Sequence, residues 1–186
     1  ILGDNIFIGE DFIKLLNNND FDRNEATIFA IESNEPERFG VIEIDQNGQP
    51  IAIEEKPKFP KSNNIITGLY FYDNQVVNFA KDLNPSKRGE LEITDINKKY
   101  LDKKTLKVQI INDKNKWIDA GTHESLISAS NYVKNFEDKK KYKLGCLEEI
   151  AYNKKWINQT ELENLIDINN GSSYAIYLRN ILNNEY

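Results

Sequence analysis

Ile1-Leu2-Gly3-Asp4-Asn5 opens the chain and is expected to be the end of a buried strand that turns at a glycine into a carboxylate. Gly3 has no Cβ, so a backbone or a ligand can approach it closely. Asp4 then stands at the carboxyl end of the strand, where open α/β sheets bind their ligands. A turn of this kind is often only a turn. It gains meaning from a second carboxylate, Asp119, in Trp117-Ile118-Asp119-Ala120-Gly121-Thr122. Magnesium takes hard oxygen ligands, usually one or two carboxylates together with substrate phosphates. Asp4 and Asp119 are therefore expected to hold one Mg²⁺ on a nucleoside triphosphate. Asp119 could instead cap the next helix, although Thr122 is better placed for that.

Working outward, Asp11 to Asn17 is expected as a short helix with Phe12, Leu15 and Leu16 inward, ended by the polar turn Asn17-Asn18-Asn19-Asp20. Ala26 to Ile31 is a continuous apolar run, as a strand buried on both faces should be. Val41–Ile44 and Ile51–Ile53 flank Asn47-Gly48, a strong hairpin signal. The return strand runs into Glu54-Glu55-Lys56-Pro57, and Pro57 stops the ladder. Alternation puts Glu55 on the face of Ile51 and Ile53, and Lys56 on the other. Ile65 to Tyr72 is β-branched and aromatic, hence a core strand. Asp73-Asn74 is expected to cap a helix over Gln75–Leu83 with Val76, Ala80 and Leu83 on one face. A helix from Glu92 carries Ile93, Ile96 and Tyr100 inward, and Leu106–Ile111 reads as a strand. Gly121-Thr122 opens a long helix with Leu126, Ala129, Val133 and Phe136 at helical spacing. Beyond Gly145, Glu148–Lys154, Gln159–Ile166 and Tyr174–Leu182 read as three short helices. The pattern is a mixed α/β sheet with one antiparallel hairpin excursion and a helical tail.

The 186 residues, 39% of them hydrophobic, suffice for one sizeable core. A net charge of −6 makes nucleic acid an unexpected partner, because phosphate backbones demand a basic face. The single cysteine, Cys146, cannot form an internal disulfide and reads as a small buried residue. No apolar run approaches the length of a membrane span, and no signal peptide opens the chain. A cytoplasmic protein is expected. The first residue is Ile1, inside an apolar strand, so the chain is expected to be a piece of a longer protein.

The residues suited to chemistry are Asp4, Glu55, Lys56, Arg88, Asp119 and Glu90. Phosphoryl and nucleotidyl transfer ask mainly for positioning and for neutralised charge on the phosphorus oxygens. A lysine and an arginine from different loops provide that for a sugar phosphate. A carboxylate such as Glu55 suits sugar hydroxyls, since it accepts two hydrogen bonds in a fixed direction. Glu54-Glu55-Lys56 reads equally as a solvated strand end, and Lys87-Arg88-Gly89-Glu90 as a charged turn. His123, the only histidine, has no partner for a zinc site and reads as structural. No Gly-x-Ser-x-Gly elbow is present, which argues against a hydrolase triad.

Six stretches together resemble the glucose-1-phosphate thymidylyltransferases: Leu2-Gly3-Asp4-Asn5-Ile6-Phe7, Pro36-Glu37-Arg38-Phe39-Gly40-Val41, Glu54-Glu55-Lys56-Pro57, Thr67-Gly68-Leu69-Tyr70-Phe71-Tyr72, Arg88-Gly89-Glu90-Leu91-Glu92-Ile93-Thr94-Asp95 and Trp117-Ile118-Asp119-Ala120-Gly121-Thr122. They occur in the family's order over nearly the whole chain. Glu-Glu-Lys-Pro is shared by many sugar nucleotidyltransferases, whereas the last two runs are more specific. The resemblance implies a mixed, mainly parallel Rossmann-like nucleotidyltransferase sheet over 1–145 and a helical assembly and regulatory tail over 146–186. It implies that the phosphate of glucose 1-phosphate attacks the α-phosphorus of dTTP, in the synthesis of deoxysugar precursors such as that of dTDP-rhamnose. On this resemblance Asp4 and Asp119 would bind Mg²⁺. Glu55 and the Gly40 backbone would hold the glucosyl group, with Ile66 lining the pocket. Lys56 and Arg88 would hold the sugar phosphate in line. A homotetramer is implied.

Three departures qualify the resemblance. Phe39 stands where the family often has tyrosine, so a hydroxyl contact is lost. Asn153 stands where many members have arginine, after Glu149-Ile150-Ala151-Tyr152, which weighs against feedback binding of a dTDP-sugar. The family's glycine-rich loop, Gly-Gly-x-Gly-Thr-Arg, does not occur in these residues. The isolated chain is therefore expected not to turn over dTTP, and to aggregate or melt weakly through its uncovered opening strand. Two alternatives remain open: a UTP- or CTP-using hexose-1-phosphate nucleotidyltransferase, and a non-catalytic sugar-phosphate-binding or assembly module.

Overall fold

The computed structural model describes residues 1–9, 12, 14, 16, 24–112 and 114–183. The expected helix Asp11–Asn17 lies largely, and the turn Asn17-Asn18-Asn19-Asp20 wholly, outside the described residues. The chain divides into two compact units, Ile1–Leu126 and Ile127–Tyr186.

The first unit holds strands β1 (Asn5–Ile8), β2 (Ala26–Glu32), β3 (Gly40–Ile44), β4 (Pro50–Glu55), β5 (Asn64–Phe71), β6 (Leu106–Ile110) and β7 (Lys116–Asp119). Helices α1 (Val76–Lys81) and α2 (Ile93–Asp102) lie between β5 and β6 in sequence. Five strands form one sheet in the order β4-β3-β5-β2-β6, and β1 pairs with β7 as a separate antiparallel ribbon. The sheet is mixed, as expected, but not mainly parallel: among the described pairs only β2 and β6 run parallel. The hairpin β3–β4 reverses the chain, and β5 keeps the reversed direction as it enters between β3 and β2. Only the connection through α1 and α2 restores the original direction, because parallel strands need a long crossover.

Strand β2 is an interior strand of this sheet, between β5 and β6. Ala26, Ile28, Phe29 and Ala30 are all fully buried, as a strand covered on both faces requires. A register shift between Ile28 and Ala30 interrupts its pairing with β5. The buried Thr67 hydroxyl donates to the Phe29 carbonyl there, at 2.9 Å. One face of the sheet carries Ile28, Ile42, Ile53 and Ile66, packed with Ile96 and Tyr100 of α2. Phe29 and Leu69 join Phe12 and Ile111 in a second cluster.

The hairpin turns as expected, with Gly48 in the left-handed region at φ 78°. Helix α1 is shorter than expected. Val76, Phe79 and Leu83 pack on the core and Ala80 is exposed, so phenylalanine takes the inward place given to alanine. Asp73 is buried; it accepts from the Gln75 amide at 3.0 Å and from the Tyr100 hydroxyl at 2.6 Å.

The second unit is helical. Helix α3 (His123–Lys140) starts in the first unit, where Thr122 Oγ1 caps it by accepting from the Ser125 amide at 3.1 Å. Of the residues expected inward on α3, Ala129 is buried and Leu126 is exposed. Helices α4 (Leu147–Asn153), α5 (Gln159–Ile168) and α6 (Ser173–Asn183) follow at the expected places. Leu162, Ile166, Ala175, Tyr177, Leu178 and Cys146 make their core. Asn158 and Glu161 form a reciprocal capping box at the start of α5. The boundary between the compact units falls within α3, and near the end of that helix Glu137 accepts from the Leu144 amide at 2.9 Å and pairs with Lys143. No helix among the described residues is long and apolar enough to cross a membrane.

Candidate active site

The ribbon β1–β7 brings the two aspartates together. Asn5 faces Asp119 in its register, and the Asp4 carbonyl accepts from the Ala120 amide at 2.8 Å. A Cβ on Gly121 would lie 3.2 Å from Asp119 Oδ1 and 3.3 Å from Asp4 Oδ2. The two carboxylates therefore converge over the one residue that has no side chain to separate them. The donor set suits a hard divalent cation that keeps coordination positions for water or phosphate. Among the described residues no group of three or more His, Cys, Asp or Glu converges, so a closed protein cage for a metal is absent there.

Asp4 and Asp119 line a cavity of about 240 Å³ that also takes in Phe39, Gly40, Glu55, Lys56 and Ile66. Gly40 opens β3 and pairs with Glu55 at the end of β4. A Cβ at Gly40 would meet Glu55 Oε2 at 3.2 Å and Thr94 Oγ1 at 3.3 Å. The Glu55 carboxylate is thus seated against a bare backbone, and the buried Thr94 hydroxyl at the start of α2 donates to its Oε2. Its other oxygen lies 3.7 Å from Arg88 Nη1. Both oxygens have a fixed direction, as recognition of vicinal hydroxyls requires.

Lys56 does not continue the strand alternation. Its φ is 42°, a left-handed conformation that costs roughly 1 kcal/mol for a residue with a Cβ. Its amide donates to the Phe39 carbonyl at 3.0 Å. This turn takes Lys56 out of the period-two pattern, and it lines the same cavity as Glu55 instead of the opposite face. Arg88 reaches the site through Glu55 and also pairs with Glu90 and with Glu92, the latter at 3.9 Å. Its loop is held by Ser86, whose hydroxyl accepts from the Arg88 amide and donates to Glu92.

Four cavity residues had no role from the sequence. Thr94 orients Glu55. Tyr70 is pushed up to about 12, mainly by burial and also by the Glu55 charge. Trp117 stacks edge-on against Phe39 at 5.4 Å, and Asn5 accepts from its indole at 2.7 Å. All four stand inside or beside the stretches that carried the family resemblance, but no spacing rule brings position 5 to 117 or 55 to 94. In the second unit, Asn153 ends α4 and lines a separate cavity with Tyr152 and Trp156.

The chain is similar to proteins of known family. The family model described as nucleotidyl transferase matches residues 1–135. A glucose-1-phosphate thymidylyltransferase of Neisseria meningitidis serogroup A is 45% identical over 182 residues, covering 98% of this chain and 63% of that protein. One from Xanthomonas campestris pv. campestris is 43% identical over 178 residues, covering 96% of this chain and 60% of that protein. A solved structure from Bacillus anthracis, described as a glucose-1-phosphate thymidylyltransferase in complex with sucrose, matches with a TM-score of 0.59 at 45% identity, over 71% of this chain and 52% of that one. The chain thus spans 60–63% of the length of these two curated relatives. With the fold, the paired aspartates and a match over residues 1–135, the chain belongs to the nucleotidyl transferase family.

Proposed function

We propose that the protein transfers a deoxythymidylyl group from dTTP to glucose 1-phosphate, giving dTDP-glucose and pyrophosphate for deoxysugar synthesis such as that of dTDP-rhamnose. The observation that carries this reading is the convergence of Asp4 and Asp119 over Gly121, in one cavity with Glu55 and Lys56. The names of the relatives support the choice of nucleotide and sugar.

In the reaction a phosphate oxygen of glucose 1-phosphate forms a bond to the α-phosphorus of dTTP, and the bond to pyrophosphate breaks with its electron pair leaving on oxygen. Glu55, held by Thr94 and Arg88, accepts hydrogen bonds from the glucosyl hydroxyls beside the Gly40 backbone. Ile66 and Phe39 give that pocket its apolar wall. Lys56 supplies a cation to the sugar phosphate, and Arg88 turns from its acidic neighbours toward the same group. Their contribution is positioning and charge neutralisation, which is most of what this chemistry needs. Asp4 and Asp119 are the residues that would hold Mg²⁺, which when bound neutralises phosphate charge.

We divide the work between residues 1–145, which carry the metal and sugar-phosphate side, and residues 146–186, which serve assembly. A homotetramer accords with the exposed Leu147, Trp156, Ile168 and Ile176 of the helical unit. The cytoplasm, where nucleoside triphosphates are abundant, is the proposed place of action. Pyrophosphate release by the full-length gene product, measured with dTTP, UTP and CTP against glucose 1-phosphate and Mg²⁺, tests the reading. Preferential use of dTTP is expected. Equal or better use of UTP or CTP overturns the donor assignment, and no release with any of the three overturns the activity.

A further inference from the structure

The geometry points to Asn5 as the positioning residue that ties the metal carboxylate to the wall of the sugar cavity. This rests on the reading of Asp4 and of the cavity given above. Asn5 Oδ1 accepts two hydrogen bonds, from the Gly68 amide at 3.1 Å and from Trp117 Nε1 at 2.7 Å. Asn5 Nδ2 donates to Asp4 Oδ1 at 2.9 Å. The orientation of the amide follows from chemistry. Both the indole and the backbone N–H can only donate, so they must face the oxygen, and the carboxylate can only accept, so it must face the nitrogen.

The surrounding backbone is shaped for this one side chain. A Cβ on Gly68 would stand 2.7 Å from Asn5 Cγ and 2.8 Å from Nδ2, so the Asn5 amide would have to move from its place to admit any side chain there. Strand β5 therefore carries glycine where the amide crosses it. The consequence for the metal side is specific. Asn5 occupies Oδ1 of Asp4, and the oxygen that converges with Asp119 over Gly121 is Oδ2. Asn5 thus decides which Asp4 oxygen is presented beside Asp119. On the sugar side it fixes the Trp117 ring, which in turn packs against Phe39 next to Gly40. A single amide sets both halves of the site.

The test separates the two halves. In the full-length protein with Trp156→Phe, Trp117 is the sole tryptophan of this segment and its emission reports the indole. Asn5→Ala should shift that emission and raise both the KM for glucose 1-phosphate and the half-saturating Mg²⁺ by about tenfold, the scale of one hydrogen bond to a charged group. Asn5→Asp keeps the acceptor for Gly68 and Trp117 but sets an oxygen against Asp4. It should leave the emission and the sugar-phosphate KM near the parent and raise only the Mg²⁺ requirement. Trp117→Phe in the Trp156 parent should raise only the sugar-phosphate KM. The proposal is overturned if Asn5→Ala leaves emission and both constants unchanged. It is equally overturned if Asn5→Ala and Asn5→Asp lower the melting temperature alike and move both constants alike, since that is a purely structural role. The emission arm needs no turnover, so a failure of the proposed reaction is distinguishable from a failure of this assignment.

Discussion

The cavity of the first unit and the helical core of the second are each built from bonds of their own characteristic reach. In the cavity Asn5 meets Trp117 across 112 positions, Gly68 across 63, and Thr94 meets Glu55 across 39. In the helical unit the capping box closes over 3 positions and Asn169 caps Leu165 over 4, while the Lys143 amide reaches the Tyr177 hydroxyl across 34. The first construction gathers chemistry from distant segments and depends on bare backbone at Gly40, Gly68 and Gly121. The second stacks short amphipathic helices whose caps and cores are close in sequence. Substitutions should therefore harm function in one and stability in the other.

The sharpest trial of that contrast is Leu162→Ala. Leu162 is fully buried in the helical core, and the deletion should cost about 2–5 kcal/mol, read by urea unfolding followed by far-UV circular dichroism. A loss of only a few tenths would break the view that the second unit hangs on this core. Asp119→Asn should lower pyrophosphate release by about a hundredfold or more at saturating substrates while leaving the circular dichroism spectrum unchanged. Activity retained at the parent level would remove Asp119 from the metal site. Gly68→Ala stands between the two kinds of effect. The added methyl meets the Asn5 side chain and should cost about 1–3 kcal/mol in thermal or urea melts, with a shifted Trp117 emission. A stable variant with unchanged emission would show that the close approach is not needed.

Two smaller effects sharpen the comparison. Asn158→Ala removes one half of the capping box and should cost about 1 kcal/mol, read as a lower urea midpoint at unchanged slope. Tyr70 provides a pH test inside the cavity. Its phenol is pushed from 10.0 to about 12 in the folded protein, first by burial and then by the Glu55 charge. The folded state thus favours the neutral phenol. Its contribution to stability is complete below pH 10 and is lost as the pH rises from 10 through about 12. Glu55→Gln should bring the titration down only part of the way, because burial is the larger cause; ring-labelled NMR of Tyr70 follows it directly. A Tyr70 that titrates at its ordinary value in the parent would contradict the burial of its phenol in the cavity lining.

Much of the fold was legible in the chain because its signals are local. The apolar run at Ala26–Ile31, the Asn47-Gly48 turn and the tail helices each fall where periodicity and turn chemistry put them. The direction of the sheet was not. Whether β5 pairs parallel or antiparallel with β2 depends on where the hairpin delivers the chain, and no residue of β5 encodes that. The inward residues of the helices were legible only where packing agreed with spacing. Phe79 displaced Ala80 because the larger ring fills the space beside Tyr100, at 5.0 Å between centroids.

The candidate site divides in the same way. The sequence by itself determined the residue types and their order: Asp4 after Gly3, the pair Glu55-Lys56, the basic turn at Arg88 and a second aspartate at 119. Together with the family's motifs that was enough to name the chemistry. The buried strand expected to end at Asp4 is absent: Ile1 and Leu2 are exposed, and Asp4 lies in a turn that leads into β1. Only the tertiary structure decided that Asp4 and Asp119 share one bare glycine, that Lys56 leaves the strand at φ 42° to face the Glu55 cavity, and that Asn5 joins Trp117 to Asp4. The physical reason is that hydrogen bonds and carboxylate pairs form between atoms within about 3 Å of each other, whatever their separation along the chain. Sequence periodicity carries information over a few turns or strand repeats; convergence across 112 positions exists only once the ribbon β1–β7 has formed against β5.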